Sequence, residues 1–177
     1  MRQRAGATSL ETLARPGTIP AGSVSDQLIC QIDFIATFAA LTGSKVTGPD
    51  SVNVRPALIG TPDKPVREHL VITPSKEKNL ALREGRWLYI GAQGGGGFTG
   101  DKPGDHLLGG PGALKFASEI NSDIADGKIK PDAPDAQLYD LESDRSQSRN
   151  VIREHPEQAE RMAKHLADLQ KQPRSTQ

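Results

Sequence analysis

The chain has 177 residues, 35% of them apolar and 25% charged, with 22 acidic side chains balancing 22 basic ones. One domain-sized core is within reach of such a length, but 18 Gly, 13 Pro and a mean hydropathy of −0.51 point to a small core beside long irregular stretches. Zero net charge excludes a general electrostatic pull toward nucleic acid or an anionic membrane, so neither is expected as a partner.

At the start, Met1-Arg2-Gln3-Arg4 is basic but has no apolar run behind it, so no signal peptide is expected, and nothing further on approaches a membrane-spanning length. The first persuasive element follows Ser25. From Asp26 to Thr42, Leu28, Ile29, Ile32, Ile35, Phe38, Ala39 and Leu41 recur at helical spacing and predict a core-packed helix with Ser25 as N-cap and Gly43 closing the last turn. Glu68–Thr73 reads as a strand, and 79–90 as two strands turning at Glu84-Gly85. That turn sets Leu82 opposite Trp87 and Leu80 opposite Tyr89 in a half-buried hairpin.

Between Gly91 and Pro134, two glycine clusters mark an insertion loop with room for a short helix at Ala113–Ile120. A further strand is expected at Gln137–Leu141. A closing helix starts at Pro156 and places Ala159, Met162, Ala163, Leu166 and Leu169 along one face that can lie across the sheet. The fold class is therefore α+β: a small antiparallel sheet packed by a C-terminal helix.

Chemical motifs fail on spacing. Gly95-Gly96-Gly97-Phe98-Thr99-Gly100 matches a dinucleotide loop, but Asp101-Lys102-Pro103-Gly104 follows where a helix N-terminus is needed. Asp140, Glu142 and Asp144 alternate like calcium ligands, yet Arg145 stands where the turn glycine belongs and Val151 where the bidentate Glu belongs. The four histidines lack metal-site spacing, His155 and His165 reading as exposed helix residues, and the lone Cys30 next to Asp33 is read as a small inert residue.

Arg15-Pro16-Gly17-Thr18-Ile19-Pro20, Asp33-Phe34-Ile35-Ala36-Thr37-Phe38, Arg67-Glu68-His69-Leu70-Val71, Arg83-Glu84-Gly85-Arg86-Trp87 and Gln137-Leu138-Tyr139-Asp140-Leu141 together resemble the closing part of arylsulfatase A-like sulfatases. The resemblance runs from Arg15 to about Leu169. It implies the C-terminal part of an alkaline phosphatase-like fold: 1–14 unmatched, 15–65 ending the large domain, 66–170 forming the small subdomain with the 91–134 insertion, and 171–177 a tail. Family catalysis uses a formylglycine made from Cys/Ser-x-Pro-x-Arg and a divalent cation, usually calcium, and full-length relatives are often exported. Neither that motif nor a matching set of metal ligands occurs in this sequence, so catalytic and metal residues are expected to be absent from it. A truncated or frame-shifted reading frame is the expected origin.

A fragment of a sulfuric ester hydrolase, inactive alone, is the reading that follows. The alternative is an accessory module for a sulfated small molecule, a sulfated glycan or a partner subunit, with Arg67, His69 and His106 as the candidate substrate-binding residues and Arg83, Arg86 and Lys102 as further anion contacts. An enzyme of another mechanism, built on His106 or His69, ranks below both, because no nucleophile and base share a spacing. Separated from a larger domain, the 26–42 helix would expose apolar surface and favour self-association.

Overall fold

The computed structural model describes residues 17–46, 48–60, 62–74, 79–94 and 120–172. These fall into two compact units, one formed by residues 17–70 and 169–172 and one by the described part of Val71–Asp168.

In the first unit, helix α1 spans Asp33–Thr42 and helix α2 spans Arg55–Ile59, the latter started by Pro56. α1 begins seven residues later than its apolar spacing suggests. The cause is local hydrogen bonding. The Cys30 N–H donates to the Asp33 carboxylate at 2.8 Å, the Val66 N–H donates to Gln27 Oε1 at 3.0 Å, and Ser25 Oγ accepts only from the Gln27 N–H at 3.4 Å. The amides of Gln27 and Cys30 are thus taken by side chains, and the carbonyls of Cys30, Gln31 and Ile32 accept the N–H groups three residues on, a turn that leads into the helix. The C-terminus ends as expected, with Gly43 at φ 70° and its N–H donating to the Ala39 carbonyl.

The orientation of α1 is the second departure. Its buried residues are Asp33, Thr37 and Ala39, whereas Ile35, Phe38 and Leu41 are 47%, 56% and 38% exposed. Of the expected core stripe Ala39 is buried, while Ile32, Ile35, Phe38 and Leu41 stay exposed, and the buried positions Asp33 and Thr37 are held by the polar contacts described below.

The second unit is built on a sheet of order β1-β2-β3-β6, with β1 His69–Ile72, β2 Ala81–Glu84, β3 Trp87–Ile90 and β6 Gln137–Asp140. β2, β3 and β6 run antiparallel, Leu82 opposing Tyr89 and Tyr89 opposing Leu138. The register differs from the expected one by two residues, since the turn is Gly85-Arg86 rather than Glu84-Gly85. Gly85 has φ 51°, and a two-residue turn with positive φ at its first central position needs glycine there.

Residues opposed across the ladder share a face. One face carries Ala81, Leu88 and Tyr139, which pack with Leu141 and with the half-buried Ile72 and Ile90. The other carries Leu82, Tyr89, Leu138 and Glu84. Helix α3, Pro156–Leu169, lies on that side: the Glu84 carboxylate meets Arg161 at 2.5 Å and also pairs with His165. Ala159, Met162 and Leu166 are buried, Met162 completely. The sheet is therefore covered on both faces, more than the half-buried hairpin expected.

The end of the glycine-rich stretch holds regular structure of its own. β4 Ile124–Ala125 pairs with β5 Lys128–Ile129 around Asp126 and Gly127, both at positive φ. Asp-Gly between short apolar positions is the signal for such a ribbon. The expected helix at 113–120 lies almost wholly outside the described residues.

Candidate functional site

Of the candidate residues, Arg67 is the best defined. Its side chain is 2% exposed and pairs with the fully buried Asp33, Nε lying 3.1 Å from Oδ2 and Nη2 bonding to Oδ1. Nη2 also donates to the Asp50 carbonyl at 2.7 Å, and Nη1 to the His69 carbonyl at 3.4 Å. A planar guanidinium suits this forked arrangement. Asp33 in turn accepts from the Cys30 N–H at 2.8 Å and the Val52 N–H at 3.0 Å. Every one of these bonds to Arg67 ends on a protein acceptor, which makes the guanidinium a tie between the segments that it joins.

Neighbouring hydroxyls extend the tie. Thr37 Oγ1 donates to the Asp33 carbonyl at 2.7 Å and accepts from the Val54 N–H at 3.0 Å. Ser51 Oγ donates to the Ile32 carbonyl at 2.7 Å and accepts from the Ala36 N–H at 3.0 Å. The inner face of α1 is thus stitched to the 50–54 segment and to Arg67 by satisfied polar groups, with Val54 and Ala57 as its buried apolar neighbours.

His69 opens β1 and is half-buried, and its backbone carbonyl is what Arg67 reaches. His106 and Lys102 lie outside the described residues. Arg83 is half-buried, and burial together with the nearby charge of Arg145 lowers its pKa. Arg86 is exposed and turned toward Asp140 and Glu142, with its guanidinium 5.6 Å from the Trp87 ring centre. The hydrogen bond from Arg86, helped by those from Ser143 and the Glu142 N–H and by the Arg86 charge, holds Asp140 down at about 2.

Two further groupings carry no sequence signature. Tyr139 Oη donates to Gln137 Oε1 at 2.7 Å and accepts from Asn121 Nδ2 at 2.8 Å, while Gln137 Nε2 donates to the carbonyls of Ala92 at 2.6 Å and Gly94 at 2.9 Å. Desolvation pushes the Tyr139 phenol well above its ordinary range, so it stays neutral. Asn150 receives the Leu138 N–H at 2.9 Å and donates to Asp123 at 2.6 Å. Both groupings fasten the ends of the 91–134 stretch to the sheet. His165, read as an exposed helix residue, instead ties α3 to β2 through Glu84, and His155 packs edge-on to Trp87 at 5.0 Å between ring centres.

Among the described residues, no three His, Cys, Asp or Glu side chains converge as a metal-ligand set. No described helix is long and apolar enough to cross a membrane.

No family model and no curated protein matches the chain. Among solved structures, it is similar to a sulfatase of Bacteroides thetaiotaomicron from a core genetic locus for the metabolism of multiple glycosaminoglycans, with 25% sequence identity and a TM-score of 0.51. The match covers 84% of this chain but 26% of that chain, so this sequence spans about a quarter of its neighbour's length. Over 84% of its length, then, the chain has a sulfatase as a structural neighbour.

Proposed function

We propose that this chain is a scaffold portion of an arylsulfatase A-like sulfatase, corresponding to the C-terminal part of the alkaline phosphatase-like fold, and that it hydrolyses no sulfate ester by itself. The observation that carries this reading is the 84% coverage of this chain by a likeness that takes up only 26% of the sulfatase neighbour. The internal chemistry agrees with it. Positioning and splitting a sulfate ester calls for a nucleophile and a cationic pocket aimed at the developing charge, whereas the arginine buried most deeply here is bound to Asp33.

In this reading the formylglycine, the divalent cation and the residues that hold them belong to other parts of the sulfatase architecture. The substrate class is a sulfated molecule, and the neighbour's association with glycosaminoglycan metabolism makes a sulfated glycan the first to test. Purified chain is incubated with an aryl sulfate and with sulfated glycosaminoglycan oligosaccharides while released sulfate is measured. No release above buffer is expected. Turnover that co-purifies with the chain and survives further purification overturns the proposal.

A further inference from the structure

Neutral side-chain amides hold the chain where it leaves β3. Gly94, buried and at φ 68°, has its carbonyl filled twice, by Gln137 Nε2 at 2.9 Å and by Asn79 Nδ2 at 3.3 Å. Gln137 Nε2 also donates to the Ala92 carbonyl at 2.6 Å, Asn79 Nδ2 to the Gln93 carbonyl at 3.3 Å, and Gln93 Nε2 to the Ala133 carbonyl at 2.9 Å. Asn79 and Gln137 are 3% and 5% exposed, so these bonds form away from water.

The chain is held just as firmly where it returns. Asn121 Nδ2 donates to Tyr139 Oη and to the Gln147 carbonyl, both at 2.8 Å, and Asn121 Oδ1 accepts the Asp123 N–H at 2.9 Å. The Ser122 N–H donates to the Ser148 carbonyl at 2.7 Å. Both sides meet on β6: the Tyr139 hydroxyl donates to Gln137 Oε1, so one continuous run of bonds joins Gly94 to Asn121 through Gln137 and Tyr139.

We infer that the Val71–Asp168 unit persists as two chains when its backbone is cut between Gly94 and Ile120. Hydrolysis of one peptide bond there takes up one water and leaves a carboxylate on one piece and an amine on the other. None of the bonds named above is broken. β3 of the first piece still pairs with β6 of the second over Trp87–Ile90 and Gln137–Asp140, and Glu84 of the first still meets Arg161 and His165 of the second. What the cut removes is the tether that keeps the pieces at high mutual concentration. Gln93 and Gln137, whose amides cross from one piece to the other, act as the clasp that replaces it. The inference is independent of the functional reading above.

The test places a recognition site for a sequence-specific protease between Gly94 and Ile120 of the full chain and cuts it. Trp87 is the single tryptophan of the sequence and lies in this unit, so its fluorescence reports on the unit alone. Cut protein is expected to elute as one species holding both pieces, with unchanged Trp87 emission and a melting midpoint that now depends on protein concentration. Gln137→Leu removes two cross-piece bonds and is expected to weaken the association of the pieces about ten-fold or more. Gln93→Ala, which removes only the bond to Ala133, is expected to weaken it several-fold while the uncut chain stays folded. Pieces that separate or precipitate on cutting, from a chain that was folded before the cut, overturn the inference. Pieces that stay together equally well with Gln93→Ala and with Gln137→Leu overturn the assignment of the clasp.

Discussion

Replacing Asp33 with Ala is expected to destabilise the 17–70 unit by about 3–5 kcal/mol, because it leaves the buried Arg67 guanidinium without its counter-charge. Out of a total stability of about 5–15 kcal/mol for an ordinary domain, such a loss is a large fraction of the whole. Removing the carboxylate also strips the Cys30 and Val52 amides of their acceptor. Arg67→Lys is expected to recover only part of the wild-type stability, since an ammonium cannot reproduce the forked bonding to Asp33 while also reaching the Asp50 and His69 carbonyls. Paired replacement by Asp33→Leu and Arg67→Met is expected to cost less than Asp33→Ala alone, because no charge is then left buried. Hydrogen exchange followed by mass spectrometry on peptides from residues 27–59 reads these effects where they arise. A loss below about 1 kcal/mol for Asp33→Ala, the range of an exposed ion pair, would contradict the burial of this pair.

Leu138→Ala is the corresponding test for the second unit, with an expected loss of about 2–5 kcal/mol. Leu138 is fully buried at the centre of β6, directly opposite Tyr89, which itself opposes the equally buried Leu82. The vacated space would lie on the face covered by α3. Rigid sheet geometry on one side and the Glu84 bonds to Arg161 and His165 on the other leave it little means of collapse. Leu138→Met, which keeps the volume, is expected to cost less than about 1.5 kcal/mol. Denaturant titration followed by Trp87 fluorescence reads both variants, and equal midpoints for the two would argue against a tightly packed sheet–helix interface.

The sheet and its covering helix were legible in the sequence because their signals are local. Alternation at 81–90 and 137–141, and the apolar stripe after Pro156, each follow from strand or helix period alone. Gly85 shows where that legibility stops: the same glycine fits either turn, and the pairing of the strands selects the one that puts Leu82 opposite Tyr89. Asp126-Gly127 carried a readable turn signal that was lost within the surrounding glycine-rich stretch.

α1 departs from its sequence pattern for a different reason. Hydrophobic spacing locates an apolar stripe but does not say whether this chain supplies its cover, and here a polar stripe of Asp33 and Thr37 holds the inner side instead. Arg67 and Asp33 stand 34 positions apart, so no local pattern joins them. For an isolated Arg, anion binding and internal pairing look the same in sequence, and only burial with a matched carboxylate tells them apart.

The measurement that bears most directly on the central claim is the Arg67 Nε–H resonance in a nitrogen-15 correlation spectrum of the full chain, recorded as inorganic sulfate and then a sulfated glycosaminoglycan oligosaccharide are added. A guanidinium consumed by the fold is expected to show slow exchange with solvent and no shift with either ligand. A saturable shift of that resonance, lost in Arg67→Lys while the fold persists, would show that the residue serves a sulfated ligand, and would contradict a chain whose buried charges act only as scaffold.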